Sequence, residues 1–398
     1  MINEFDTWLQ TIPTFKNQQP RTLDSFRYGE QFEDDLFAAT PDSLISQNIY
    51  NNYISNPNDA SNKDEKKTAD ILNSVTVWKR ISDLFPTSDL FPPELHCDNF
   101  KQGQIGDCYF IDMIALLSNQ HKNLITRLFP IKKNSHGYYE VILFINGWKR
   151  VIVDDYIPLK KYEENEIKLL GCESKTHQNC FYFMLLEKAW AKVNGNYNIY
   201  GGNANESLLV LTGFDGEKIY FNNNPDENRK NGIIEDLEKG HRRYGNLFAI
   251  NDYGHSYTLL DVRTYLVNGI NYKVLQARNP WGIVGAHIFD TKKNNIDNAV
   301  IEKFKNRRDI VEDELVTRLG SFNQIIDNGI FYISKKYFFQ LFKSYSKCHY
   351  FFGSTFIEFL LKFNLDNINK RFFMFKLIVA ENSLVQLNLT KHSFNNDG

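Results

Sequence analysis

Cys108 is the residue of this sequence best suited to act as a nucleophile. It follows a glycine-rich turn that ends in an aspartate (residues 103–107, GQIGD). Apolar residues then recur with helical spacing, so we expect a helix that begins at Cys108. The positive end of a helix dipole favours a thiolate, the form in which a cysteine is a nucleophile. Gln102 lies just before the turn and is placed to donate a hydrogen bond to an oxyanion. A cysteine before an apolar helix is also commonly a small core residue, so this segment alone leaves both interpretations open.

A histidine and an asparagine far downstream flank a predicted hairpin. Residues 257–263 (YTLLDVR) and 272–278 (YKVLQAR) have the composition of strands, and Asn268-Gly269 between them is a strong turn signal. An antiparallel hairpin brings the start of its first strand beside the end of its second. We therefore expect His255 and Asn279 to be neighbours.

Together these residues supply the parts of a cysteine nucleophile system. His255 would hold an imidazolium against the Cys108 thiolate and then protonate a leaving amine, while Asn279 would fix the tautomer of the ring. A transferase that moves acyl groups to amines is an alternative, but such a triad would favour a carboxylate over Asn279.

Composition narrows the class of protein. Lys and Arg number 46 against 48 Asp and Glu, which gives a net charge of −2 and indicates neither a nucleic-acid nor a membrane partner. The five cysteines are odd in number and none has CxxC spacing, so we expect a reducing compartment, the cytoplasm, and no zinc site. No secretory signal and no apolar run long enough to span a membrane is present. No motif indicates a nucleotide or organic cofactor.

The expected fold class is α+β, and four segments are predicted. Residues 1–75 read as a polar N-terminal leader with a mobile loop at residues 48–67, a bland surface extension by composition. Residues 76–212 form a helical half that carries Cys108, residues 213–344 form a β-rich half that carries His255 and Asn279, and residues 345–398 form a β-rich tail. The tail is too short for a β-sandwich of roughly 100 residues, so we expect it to be incomplete.

Several sequence blocks resemble one known family. QGQIGDCYF, LLEKAWAKVNGNY with GGNANESLLVLTG, YGHSYTLLDVR and ARNPWG are similar to successive signatures of the calpain family of cysteine proteases. The resemblance extends from about residue 77 to residue 332. It implies a papain-like core of two subdomains with a cleft between them, and it implies that the tail begins a calpain-type β-sandwich.

The resemblance also implies roles for individual residues. The catalytic Cys, His and Asn of the family fall on Cys108, His255 and Asn279, and the oxyanion-stabilising glutamine falls on Gln102. Trp281 matches a tryptophan that shields the His–Asn pair from water. Tyr109 stands where the family usually has Trp, a change expected to tune the cleft.

Calcium is the one cofactor that the resemblance raises, because the best-known members bind two ions in this core. At the first site Glu187 matches a carboxylate ligand, but Asn99 stands in the place of an aspartate, with Asp98 one position away. The second site has Gly285, Asn328 and Ile330 where carboxylates are expected, although Asp290 and Asp327 are close. Calcium prefers several charged oxygen ligands, so we expect weak binding at one site at most.

The resemblance therefore predicts a calpain-type cysteine endopeptidase that cuts internal peptide bonds of extended protein substrates through an acyl-thioester, with possible calcium regulation. The alternative is a catalytically silent calpain-like scaffold that binds protein chains in the same cleft. A further C-terminal domain or a regulatory partner is also expected.

Overall fold

A computed structural model of the chain describes residues 4–56, 63–74, 77–161, 167–175, 180–221, 225–252, 254–282, 309–319 and 329–350. The α-helices among them are α1 (Glu4–Thr11), α2 (Gln47–Ser55), α3 (Lys63–Asn73), α4 (Ile81–Leu84), α5 (Cys108–Gln120), α6 (Lys122–Arg127), α7 (Tyr182–Val193), α8 (Ala204–Thr212), α9 (Glu227–Lys239), α10 (Asp313–Leu319) and α11 (Lys335–Leu341). The strands are β1 (Val77–Arg80), β2 (Phe100–Lys101), β3 (Tyr138–Phe144), β4 (Trp148–Asp154), β5 (Tyr156–Lys161), β6 (Ile167–Leu169), β7 (Glu173–Ser174), β8 (Gly216–Tyr220), β9 (Leu247–Asn251), β10 (Ser256–Val267), β11 (Ile270–Arg278), β12 (Asp309–Ile310), β13 (Ile330–Ser334) and β14 (Ser344–Cys348).

Helix α5 is the centre of the helical half. Its residues from Tyr109 to Ser118 are all buried, as expected for a helix that is apolar on every side. It packs in one core with α7, α8 and the β3–β4 hairpin. That hairpin turns at Asn146 and Gly147, whose φ angles of 48° and 100° are the left-handed values that its short turn requires.

The β-rich half is built on a seven-stranded sheet with the order β12-β13-β11-β10-β9-β14-β8. Its pairs are antiparallel except β12 with β13. The predicted hairpin is β10–β11, and it turns at Asn268 and Gly269 with φ angles of 50° and 78°. The expected α+β class, with a helical half and an antiparallel β half, is confirmed.

Part of the polar leader, outside the segment expected to be a surface extension, is buried against the helical half. Asp34 is 1% exposed, and its carboxylate accepts hydrogen bonds from Nζ of Lys192 at 2.8 and 2.7 Å. The backbone N–H of Asp34 donates to the carboxylate of Asp154 at 2.8 Å. The described parts of the predicted mobile loop are helical, in α2 and α3. A charged pair of this kind is buried only when it is well bonded, so this part of the leader belongs to the packed core.

The predicted boundary before the tail falls inside a strand of the β-rich half. Strand β14 pairs with both β9 and β8, so the sheet extends at least to Cys348. Residues 351–398, which hold the rest of the predicted tail, lie outside the described residues. The division into four segments otherwise stays a prediction.

The two halves meet along α5 and β10. Nε2 of Gln120, at the end of α5, lies 3.4 Å from the carbonyl oxygens of Leu259 and Leu260 on β10. At the other end of the junction the backbone N–H of Gln102 donates to the carbonyl of Pro280 at 3.0 Å. These contacts place the start of α5 beside the residues that flank the β10–β11 hairpin. Among the described helices, none is long and apolar enough to cross a membrane.

Candidate active site

Cys108 is the first residue of α5, as the sequence predicted, and its side chain is partly exposed. The carbonyl of Asp107 accepts from the backbone N–H groups of Phe110 and Ile111 at 2.8 and 3.1 Å, which starts the helix. The turn before it needs glycine, because a Cβ at Gly106 would collide with the ring of Tyr200. The tight turn thus brings the cysteine to the surface of an otherwise buried helix.

Gln102 lies at the near side of that turn, as expected, and its amide faces inward. Nε2 donates to the carbonyl of Ile105 at 2.7 Å and to Oδ1 of Asp107 at 3.3 Å. Oε1 is buried and has no hydrogen-bond partner among the described residues. Gln102 therefore stabilises the turn in this structure, and the longer of its two bonds is the weaker.

His255 and Asn279 are neighbours in the structure, as the hairpin predicted. Nε2 of His255 lies 3.0 Å from Oδ1 of Asn279, and both side chains are buried. Oδ1 of Asn279 also accepts the backbone N–H of Trp281 at 3.1 Å. The ring of Trp281 lies over the histidine with its centroid 5.1 Å away, and Tyr257 packs edge-on at 4.7 Å. An amide oxygen accepts only, so this bond assigns the ring hydrogen to Nε2.

The sulfur of Cys108 lies beside the strand that carries the histidine. The backbone N–H of Ser256, the residue after His255, acts on the sulfur as a hydrogen-bond donor and favours the thiolate. Burial opposes that effect, and so do the carboxyl groups of Asp107 and Asp112; together they raise the pKa of the Cys108 thiol to about 12.

Burial and these carboxyl groups therefore oppose the thiolate that the helix N-terminus favours. At the N-terminus a helix dipole acts over the first turn and contributes about 0.3–1 kcal/mol, whereas the cost of desolvating a charge is larger. A thiolate here needs a positive partner, and the histidine is the residue that could supply it.

Tyr109, the residue in place of the usual tryptophan, has a structural role on the wall beside the nucleophile. Its hydroxyl donates to the carbonyl of Ile199 at 3.2 Å and accepts from Nε1 of Trp190 at 3.1 Å. A Cβ at Gly202 would collide with its ring. The hydroxyl thus holds the segment at residues 199–202 close to the start of α5.

The candidate calcium ligands of the first site are engaged in other contacts. Glu187 is buried, and its carboxylate accepts the backbone N–H of Cys172 at 3.1 and 3.0 Å. Burial and the carboxyl of Glu187 raise the pKa of Asp107 well above its ordinary value, and burial raises the pKa of Glu187 to about 7. In this structure the two carboxyl groups therefore interact with each other, and that of Glu187 also bonds to the backbone of Cys172.

Asp98 and Asn99 do not turn toward Glu187 as a ligand set. Asp98 forms an ion pair with His96, and its carboxylate raises the pKa of that imidazole to about 10. Oδ1 of Asn99 accepts the backbone N–H of His96 at 2.6 Å. No group of three or more His, Cys, Asp or Glu side chains in the described part of the chain could hold a metal ion. Among the described residues, the side chains of Glu187, Asp98 and Asn99 are each bonded to other groups of the protein.

The second predicted calcium site lies almost wholly outside the described residues, which include neither Gly285 nor Asp290, Asp327 and Asn328. Its remaining position, Ile330, begins β13 and has no side-chain oxygen.

Two charged residues near the nucleophile were missed by the sequence analysis. Asp112, on α5, and Arg278, the last residue of β11, are both fully buried. Asp112 had a signal in the sequence, because it is a charged residue inside an apolar run, FIDMIALL, whereas Arg278 has polar neighbours in VLQARNPW. A charge in such a run is buried only when something compensates it.

Comparison with known proteins agrees with this geometry. The profile of the calpain family cysteine protease matches residues 32–349. The "Calpain-type cysteine protease DEK1" of Zea mays is 30% identical over 240 residues, which are 53% of this chain and 10% of that protein. Calpain-9 of Mus musculus is 29% identical over 230 residues, 52% of this chain and 32% of that protein. Calpain-5 of Mus musculus is 28% identical over 290 residues, 63% of this chain and 41% of that protein.

These alignments cover less than half of each of the three relatives. The family profile, in contrast, covers most of this chain and takes in the segments with Gln102, Cys108, His255 and Asn279. The chain belongs to the calpain family of cysteine proteases.

Proposed function

We propose that this chain is a cysteine endopeptidase in which Cys108, His255 and Asn279 form the catalytic triad. The observation that carries the proposal is the buried hydrogen bond of 3.0 Å between Nε2 of His255 and Oδ1 of Asn279. His255 directly precedes Ser256, the first residue of β10, whose backbone N–H is a hydrogen-bond donor to the sulfur of Cys108. A chain that only bound peptides would have no need of an oriented imidazole at that place.

The acylation step follows from these positions. Asn279 keeps the hydrogen on Nε2, so Nδ1 is the ring nitrogen that takes the proton of the Cys108 thiol. The thiolate attacks the carbon of the scissile peptide bond and a C–S bond forms. The C–N bond then breaks, and the imidazolium of His255 gives its proton to the leaving amine.

Deacylation returns the enzyme to its starting state. Nδ1 of His255 takes a proton from a water molecule, whose oxygen attacks the thioester carbon. The C–S bond breaks, the acyl part leaves as a carboxylic acid, and the proton returns to the sulfur–imidazole pair. The ring of Trp281 keeps bulk water from competing for Oδ1 of Asn279.

Gln102 is proposed as a donor to the oxyanion. Its bond to Asp107 is long at 3.3 Å, so a bound substrate can draw Nε2 away while the bond of 2.7 Å to Ile105 keeps the side chain in place. A developing oxyanion is a strong acceptor, whereas burial and the carboxyl of Glu187 raise the pKa of Asp107 and so favour its neutral form, which accepts more weakly.

The proposed substrates are proteins in an extended conformation, cut at internal peptide bonds. The cytoplasm is the proposed place of action, since a free thiol nucleophile and four buried unpaired cysteines fit a reducing compartment. Further domains or a regulatory partner are proposed from the much greater length of the relatives.

Calcium is proposed to bind weakly, at one site at most, and not to be needed for the geometry described above. The support is the engagement of Glu187 with Cys172 and Asp107, and of Asp98 with His96. Casein digestion by the purified chain, with and without a calcium chelator, tests this directly. Loss of digestion on chelation with recovery at micromolar calcium would count against it.

The alternative, a silent scaffold, is tested by labelling. A peptide that carries a thiol-reactive electrophile should label Cys108 stoichiometrically, and Cys108→Ala should abolish both labelling and casein digestion. Binding of the peptide without labelling and without digestion would favour the scaffold.

A further inference from the structure

A buried carboxylate joins the helix of the proposed nucleophile to the strand of the proposed base. Asp112 lies one helical turn after Cys108, so both residues are on the same side of α5. Oδ2 of Asp112 accepts from Oγ of Ser256 at 3.2 Å, and Oδ1 contacts Oγ1 of Thr258. Oγ1 of Thr258 also lies 3.0 Å from the carbonyl oxygen of Asp112. The contacts therefore run from one residue of the helix to two residues of β10.

The two strand residues are suited to this attachment. Side chains alternate along a strand, so Ser256 and Thr258 are on the same face of β10. Ser256 directly follows His255 in the chain. Because both oxygens of the carboxylate are bonded, α5 cannot slide or pivot along β10 near this point without breaking one bond. The attachment fixes the sulfur of Cys108 relative to the imidazole of His255.

The charge of Asp112 is balanced from the neighbouring strand. Arg278 is the cross-strand partner of Thr258 in the β10–β11 hairpin and directly precedes Asn279. Its guanidinium is fully buried, donates from Nη2 to the carbonyl of Phe100 at 2.7 Å, and lowers the pKa of Asp112 by its positive charge. Burial acts in the opposite direction and is the larger effect, so the pKa of Asp112 is raised to about 7.

Retaining a carboxylate here costs free energy that an apolar side chain would not cost. The same carboxyl also opposes ionisation of the Cys108 thiol. An apolar residue that only filled the core would neither carry this desolvation cost nor oppose ionisation of the thiol. The bonds to Ser256 and Thr258, which no apolar residue could form, are what the carboxyl provides.

We propose that Asp112 is a positioning residue for the proposed proteolysis, which attaches the nucleophile helix to the histidine strand through Ser256 and Thr258 and so sets the alignment of Cys108 with His255. The inference rests on the proposed function, because the aligned groups are those of the proposed triad. It identifies the carboxyl of Asp112 as a contact between the two halves that lies close to Cys108 and His255 in the chain.

The test compares Thr258→Val with Thr264→Val in the purified full chain. Both substitutions remove one hydroxyl from β10. Thr264, however, is exposed, and its hydroxyl bonds to Glu238 on α9 and not to a residue of α5. Peptide hydrolysis should lose about 10-fold in kcat in T258V with KM within about twofold, because the substrate does not touch Thr258. T264V should keep both values.

A second pair of variants asks whether the two residues act through one contact. Asp112→Ala should lose about 10²-fold in kcat, and the double variant with T258V should be no slower than D112A alone. Circular dichroism identifies any variant that does not fold. If D112A failed to fold, T258V against T264V would still decide the matter. Independent, additive losses, or an unchanged kcat in T258V, would overturn the proposal.

A readout that needs no turnover separates this inference from the proposed function. The rate at which iodoacetamide alkylates Cys108 below pH 7 depends on the imidazolium beside the sulfur, and T258V should lower that rate several-fold while T264V should not. Failure of the unsubstituted chain to cleave any peptide would refute the proposed function. Equal alkylation rates in T258V and the unsubstituted chain would refute the positioning role of Asp112. Slower alkylation in T258V, with an unchanged rate in T264V, would support the role of Asp112 in aligning Cys108 with His255 even without turnover.

Discussion

Removal of the His255 imidazole should leave Cys108 far less reactive than an ordinary cysteine. In His255→Ala the sulfur keeps its partly desolvated surroundings and the carboxyl groups of Asp107 and Asp112, which together raise the pKa of the thiol to about 12. It loses the one group proposed to pair with the thiolate. The usual expectation for a cysteine at a helix N-terminus is the reverse, a thiol that is more acidic than in a free peptide.

The magnitude follows from the two pKa values. At pH 7 a thiol with a pKa of about 12 is roughly 10⁻⁵ ionised, whereas a free cysteine with a pKa of about 8.5 is ionised to a few per cent. The more basic thiolate is the better nucleophile, and with a Brønsted coefficient of about 0.4–0.5 this recovers roughly half of the logarithmic loss. H255A should therefore react with a small disulfide about 10²-fold more slowly than a free cysteine.

The assay is thiol–disulfide exchange with a small chromogenic disulfide, followed from pH 6 to pH 10. An unstructured peptide with one cysteine is the reference, and Cys108→Ala measures the contribution of the four other cysteines, which are buried. The rate in H255A should still be rising at pH 10. The unsubstituted chain should react faster than H255A at pH 7, because its imidazolium stabilises the thiolate.

A half-maximal rate near pH 8.5 in H255A, with the speed of the reference peptide, would refute the reasoning. It would mean that burial and the two carboxyl groups have little effect on the sulfur, and that the helix N-terminus is enough to offset them.

Three further outcomes are expected. Gln102→Ala should lose about 10²–10³ in kcat for peptide hydrolysis, as when one oxyanion donor is missing; a rise in KM alone would contradict that role. Asp34→Asn should lower the free energy of unfolding in urea by about 3–5 kcal/mol, because it leaves Lys192 buried without its charge partner, whereas the exposed neighbour Asp35→Asn should change it little. The contribution of Asp112 to stability should fall by up to about 4 kcal/mol as the pH rises from 3.8 to about 7, because the folded state binds the Asp112 proton more tightly than the unfolded chain does. Urea unfolding across that range should show a smaller fall in Asp112→Asn, and an equal fall would count against the assignment.

Local sequence determined the elements that carry the site. The start of α5 at Cys108 follows from a polar glycine turn and a helical apolar pattern, both of which lie within a dozen residues. The neighbourhood of His255 and Asn279 follows from Asn268-Gly269, because a two-residue turn sets the pairing of the strands on either side, which an irregularity between Leu259 and Asp261 shifts by only one residue. Signals of this kind depend only on residues that are close in the sequence, and they fall within the part of the chain that resembles the family.

Tertiary structure decided the electrostatics of the site. The bonds of Asp112 to Ser256 and of Asp34 to Lys192 join residues 144 and 158 positions apart, and no local pattern records such a partner. The pKa of the Cys108 thiol depends on burial and on carboxyl groups that surround it only after folding. The sequence therefore showed which groups could react, while their ionisation depends on distances and desolvation that exist only in the folded chain.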